Sequence, residues 1–321
     1  MTAQRTWSSG YRRKWTGYFA AGVLALAGCL GVARGQSSFI YVASASNNRI
    51  GEYNATTGSP INPALVSGLN SPYGLAMAGS NLYVTNQNSG TIGEYDATTG
   101  AAINATLVSG LNTPTGLVLA GSNLYVANYG SHTIGEYDAT TGAVINPALV
   151  SVTTAIFGFE VSGSSLYVAD YGNGTIGQYN ATTGAVMNAT LVSGLNLPVD
   201  ILVSGSSLYV ANYGNGTIGL YDATTGVAIN ATLVSALSSP TGLAVFDTSL
   251  YVTNNVSGTI GEYSADTGAV INAALVNSVS SPAGIVVSTV PEPGAWGMIS
   301  AIGATSVVVL TRRRKRQAQV V

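Results

Sequence analysis

Short runs of Leu, Tyr, Val and Ile alternate with Gly, Asn, Asp and Ser through most of the chain. Residues 74–78 and 81–85 are two such runs, split by Gly79-Ser80; residues 91–95 form a third and 103–109 a fourth. Asn88-Ser89-Gly90 and Asp96-Ala97-Thr98-Thr99-Gly100 stand between the later ones. Four apolar runs of strand length, each bounded by residues that accept turn conformations, predict an antiparallel four-stranded meander. No stretch inside this pattern has a helical period.

The pattern recurs without a slip. Its central tyrosine falls at Tyr53, Tyr95, Tyr137, Tyr179, Tyr221 and Tyr263, each step being 42 residues. One four-stranded sheet cannot bury both faces alone, so six copies must stack, and a radial arrangement gives a six-bladed β-propeller. The first run of a copy opens at Gly74, Gly116, Gly158, Gly242 and Gly284, with Asp200 in the same slot. One period before Gly74 lies Val32, in an unrelated N-terminal segment, so the first copy starts with its second strand, residues 39–43. The missing strand is present at the other end, as residues 284–288. Pairing the two would complete blade one and remove the free edge of an open array. The predicted fold is all-β: a propeller over residues 36–289, closed by its C-terminal strand.

Charge changes the picture at the ends. Charged residues are 7% of the chain, and ten of the eleven basic ones lie outside the repeats. Within residues 36–290 the only Lys or Arg is Arg49, against twelve Asp and Glu. A surface of that sign repels a phosphate backbone, which excludes nucleic acid as a partner. Cys29, the single cysteine, excludes an intrachain disulfide and any cysteine-based metal centre.

Residues 1–35 have the order of a secretory signal peptide: basic Arg12-Arg13-Lys14, an apolar run over residues 19–32, then Ala33-Arg34-Gly35 ahead of Gln36. Leu26-Ala27-Gly28-Cys29 also resembles a bacterial lipobox, which would make Cys29 a lipidated N-terminus. At the other end, Pro291, Glu292 and Pro293 precede an apolar segment of residues 295–310 and the cluster Arg312-Arg313-Arg314-Lys315-Arg316. A helix of that length reaches about 24 Å, short of the roughly 30 Å hydrocarbon core, and flanking arginines can snorkel to shorten the gap. The positive-inside rule keeps the basic cluster cytoplasmic and places residues 36–290 outside. Residues 290–321 strongly resemble the PEP-CTERM sorting signal of Gram-negative bacteria, motif included. That resemblance implies processing by signal peptidase and an exosortase, a transient membrane anchor, and delivery to the cell surface or extracellular matrix. Exopolysaccharide or another surface protein is the partner it implies.

The repeats resemble NHL-type blades, as in Ser-Pro-Thr-Gly-Leu-Ala at 239–244 and Leu-Tyr-Val-Ala-Asp at 166–170. Streptogramin-lyase-like propellers share the Ile-Gly and Thr-Gly elements. Neither likeness carries a function, because propellers host many. Gly172-Asn173-Gly174-Thr175-Ile176-Gly177 satisfies G-x-G-x-x-G, but it falls between two predicted strands, where Asn-Gly makes a hairpin turn. The tyrosine ladders (Tyr41, Tyr83, Tyr125, Tyr167, Tyr209 and Tyr251, and the six above) occur in every blade and read as packing between blades. His132, the only histidine, replaces a turn glycine and reads as a surface residue.

The informative residues are those that break the repeat. The second strand ends in Ser44, Asn86, Asn128, Asp170, Asn212 and Asn254; the inner strand is acidic only at Asp200 in blade five and Glu160 in blade four. An antiparallel meander brings Asp170 and Asp200 to one end of the ring, in neighbouring blades, and Glu160 shares the side-chain parity of the Asp200 slot. Carboxylate and amide oxygens suit calcium, so Glu160, Asp170 and Asp200 are candidate metal ligands. Lactonase-type six-bladed propellers hold a metal with such residues, a likeness of architecture only. The expected function is a non-catalytic binding or scaffold protein; the alternative is a calcium-dependent lactonase or hydrolase.

Overall fold

The computed structural model describes residues 38–289. They form twenty-four strands in six four-stranded antiparallel sheets. Blade one combines residues 38–67 with 282–289; blades two to six span 72–108, 114–151, 156–192, 198–234 and 240–276. The last strand, Pro282–Thr289, is the innermost of blade one and pairs with Ser38–Ser44 through Ile40↔Val287, Tyr41↔Val286 and Val42↔Ile285. The expected closure between the termini is therefore present. Cys29, Pro291, Glu292 and Pro293 lie outside the described residues. Among the described residues no helix is long and apolar enough to cross a membrane.

The inner strands start two residues earlier than the sequence pattern suggests, at Pro72 rather than residue 74, with a register shift between Pro72 and Leu75. A proline at the first position lacks the N–H that a ladder would use, and the irregularity breaks the alternation that marks a strand.

The core lies between blades rather than in one central mass. Six apolar clusters fill the six interfaces, including the closing one, where Ile40, Val42 and Tyr53 meet Tyr251, Ile260 and Leu275. Both tyrosine ladders are buried there, no residue of either being more than 9% exposed. The hydroxyl of Tyr167 donates to Ala223 O of the next blade at 3.0 Å, and Tyr209 does the same to Ala265 O at 3.2 Å.

The Asp-x-Thr-Thr-Gly turns fix how closely blades approach. Asp96 Oδ1 accepts the Thr98 and Thr99 N–H groups and the Thr99 hydroxyl. Gly100 then adopts a φ of +72°, with its Cα against the Leu65 carbonyl of the preceding blade. Any Cβ at Gly100 would overlap that carbonyl, so glycine is required by conformation and by space. Gly58 meets Leu275 in the same way across the closing interface.

Candidate functional site at the channel mouth

The inner strands surround a central channel. Where each crosses its neighbour the backbones nearly touch: a Cβ on Gly116 would stand 2.6 Å from Phe157 O, and one on Gly158 would stand 2.6 Å from Val199 O. Threonines staple these strands together. Thr85 Oγ1 donates to Thr115 O at 2.7 Å, Thr115 Oγ1 to Ile156 O at 3.1 Å and Thr241 Oγ1 to Pro282 O at 2.8 Å. Asp200 is the one residue in the glycine slot with a side chain. Its Oδ2 accepts the Leu243 N–H of blade six at 2.8 Å.

Below this ring the channel opens into a cavity of about 300 Å³ lined by Glu160 and Asp200. Glu160 Oε1 accepts its neighbour's N–H, from Val161, at 3.0 Å. The register sets Glu160 opposite Tyr167 and Asp200 opposite Ala211, which is the shared facing expected of them. Burial first, then the Asp200 charge, push the Glu160 carboxyl up from 4.5 to about 8, against the opposing pull of the Val161 N–H. Burial pushes Asp200 up from 3.8 to about 7, while the Leu243 and Ile201 N–H groups pull it down. Two carboxyls close together in a low-dielectric site cannot both ionise freely.

Asp170 is elsewhere. It ends the second strand of blade four, where Thr154 Oγ1 donates to its Oδ1 and Asn173 Nδ2 donates to its Oδ2 at 2.9 Å. Its counterparts Asn86 and Asn254 accept main-chain N–H groups from the loop before the inner strand. Residues in this slot act as structural latches in most blades, Asn128 being the exception with its Oδ1 buried and unpartnered, and Asp170 is the acidic member. Of the three carboxylates singled out as metal ligands, the structure brings Glu160 and Asp200 together and leaves Asp170 tied to its own loop. Among the described residues no group of three or more His, Cys, Asp or Glu could hold a metal ion. Calcium takes six to eight oxygens, and Glu160 and Asp200 are the only carboxylates that line the cavity, beside apolar side chains such as Met77, Val118, Leu202 and Val286. The donor set does not fit that ion.

One mouth of the channel is aromatic. Tyr73 and Phe157 precede the inner-strand glycines of blades two and four, and Tyr129, Tyr171 and Tyr213 follow the slot residues Asn128, Asp170 and Asn212 of blades three, four and five. Phe157 sits among three of them, with ring centroids 4.7 Å from Tyr129, 5.0 Å from Tyr171 and 6.0 Å from Tyr73. A second cavity of about 240 Å³ lies between the rings of Tyr73, Phe157, Tyr171 and Tyr213 and the side chains of Val199, Thr241 and Asn255. Tyr73, Phe157, Val199 and Thr241 line both spaces, so they form the neck between mouth and carboxyl pair. Burial, then the Asp200 charge, hold the Tyr73 hydroxyl above the usual tyrosine range. That places Tyr73 of blade two electrically close to Asp200 of the opposite blade.

Sequence reasoning missed this mouth. The two ladders account for twelve of the tyrosines, and Tyr73, Tyr129, Tyr171 and Tyr213 are those left over within the described residues. Like Glu160 and Asp200 they break the repeat, and that was the available signal. His132 and the G-x-G-x-x-G segment stay structural: His132 lies in a turn with φ of +57°, and the segment runs from a turn, with φ of +63° at Gly174, into the strand Thr175–Asn180.

No protein-family model matches the chain, and no curated protein matches it. Among solved structures, a nidogen–laminin complex superposes with a TM-score of 0.63 at 13% identity, covering 78% of this chain and 98% of that chain. The computationally designed Ika8 protein gives 0.50 at 19% identity, covering 76% of this chain and 74% of that one. Likeness at this identity concerns the fold alone.

Proposed function

We propose that the protein is an exported, NHL-like six-bladed propeller, sorted to the cell surface or matrix, that binds a ligand at the aromatic mouth without transforming it. The observation that carries this reading is the asymmetry of the mouth. Six near-identical blades would give a uniform rim, yet blades two to five contribute aromatic rings there and blades six and one contribute Asn255, Ala45 and Ala283. These rings are half-buried and converge, and converging aromatic side chains are the usual anchors of binding surfaces. Export is supported by the two ends of the chain, whose order matches a signal peptide and a PEP-CTERM signal, with signal peptidase and exosortase as processing partners. Exopolysaccharide, or a protein held in it, is the matrix component such a molecule would meet.

Intact mass of the protein recovered from its own cells tests the export half. The reading requires a mass running from Gln36 to the Pro291–Pro293 region, and a mass retaining residues 294–321 contradicts it. Retention on isolated matrix polysaccharide, compared with Tyr73→Ala and Tyr213→Ala, tests the binding half. The competing reading is a calcium-dependent hydrolase, against which the two-carboxylate donor set of Glu160 and Asp200 speaks. It requires lactone turnover that chelation abolishes and that Glu160→Gln removes.

A further inference from the structure

The channel below the mouth has its own chemistry. Two carboxyls face a cavity in which no basic side chain takes part: Arg49 and His132, the only basic residues among those described, do not line it. The only protein donor to Glu160 is the main-chain N–H of Val161, and the only one to the Asp200 carboxylate from another blade is the Leu243 N–H. Glu160 and Asp200 are half-buried, and carboxyls withdrawn from solvent are ordinarily paired with a positive group. Here apolar side chains such as Met77, Leu202 and Val286 share the lining with them, and the neck of Tyr73 and Phe157 joins their cavity to the mouth where Tyr171 and Tyr213 stand.

We infer that the channel takes an amphipathic organic monocation, a primary amine on an aromatic or alkyl body, with its ammonium group between Glu160 and Asp200. This inference rests on the reading of the mouth as a ligand entrance. The apolar body would lie against Met77, Leu202 and Val286, and the ring faces of the neck would attract the cation as it passes. The pair holds about one proton near neutrality, because burial and mutual repulsion disfavour the doubly charged state. The remaining charge matches a single ammonium. A neutral saccharide would find few side-chain donors for its hydroxyls in this cavity, and a hard dication would find too few oxygens. The two connected spaces, of about 300 and 240 Å³, are the size of small-molecule sites.

Titration calorimetry on the purified full-length chain at pH 7.5 tests this, with 2-phenylethylamine, its uncharged counterpart 2-phenylethanol, and calcium chloride as separate probes. The amine is expected to bind at least tenfold more tightly than the alcohol. Glu160→Gln with Asp200→Asn is expected to remove that preference while thermal unfolding stays cooperative; Leu202→Phe, which keeps both carboxyls and fills the cavity, should weaken both organic probes. Equal affinity for amine and alcohol, no amine binding, or calcium binding that depends on Glu160 would each overturn the inference. Failure here alongside retention on matrix polysaccharide through Tyr213 would leave the mouth reading standing. Failure of both would remove it as well.

Discussion

The Glu160–Asp200 pair makes a quantitative prediction about stability. Both carboxyls have folded-state pKa values above those of the unfolded chain: about 8 against 4.5 for Glu160 and about 7 against 3.8 for Asp200. A raised carboxyl pKa means that the folded state binds protons more tightly. Its contribution is fully present below the unfolded pKa and is lost as the pH rises through the folded one. Between pH 5 and pH 8.5, Asp200 alone crosses roughly two pH units of differential protonation, which corresponds to about 3 kcal/mol. Water in the channel lumen screens part of this, and the two groups do not add independently, so the whole pair should cost on the order of 3 kcal/mol over that interval. Urea unfolding at the two pH values gives the difference directly. Wild type should be less stable at pH 8.5 by this amount, and the Glu160→Gln, Asp200→Asn double variant should be nearly flat. Asp96, Asp138 and Asp222 are displaced the opposite way by their Thr hydrogen bonds, and their effect falls below pH 4, outside the window. A wild-type difference under about 1 kcal/mol, or an undiminished slope in the double variant, would refute the account of the pair as a half-buried, charge-poor site.

Three further outcomes follow from the packing. Gly100→Ala should destabilise by about 3 kcal/mol or more in chemical denaturation, since it combines a left-handed φ with a backbone collision; Gly79→Ala, also at positive φ but with nothing near the new Cβ, should cost only about 1 kcal/mol. His132→Gly relieves a left-handed non-glycine residue and should raise the melting temperature by about 2–4 °C. Truncation before Ser280 removes the strand that closes blade one, with buried Ala283 and Ile285. It should cost more than about 5 kcal/mol and turn cooperative unfolding into aggregation, read by calorimetry and light scattering.

The 42-residue period, the turn residues and the displaced last strand were enough to establish six blades and their closure, because each is a local pattern repeated in register. The same repetition made the tyrosine ladders legible as packing: a residue present in every blade sits in every interface. Glu160 and Asp200 could be singled out because they interrupt that repetition, and strand parity alone put them on one side. The fate of Asp170 depended on Thr154, in the loop ahead of the inner strand, whose hydroxyl reaches back to it. Nothing in the spacing of those residues states that contact. The aromatic mouth is a still more distant assembly. Tyr73 and Asp200 are separated by more than a hundred residues and belong to opposite blades, and Phe157 joins Tyr129 and Tyr171 from two different strand ends. The period specifies what each blade contains; only closing the ring decides which non-repeating side chains face one another across its axis, because that meeting is set by the angle between blades and not by any distance along the chain.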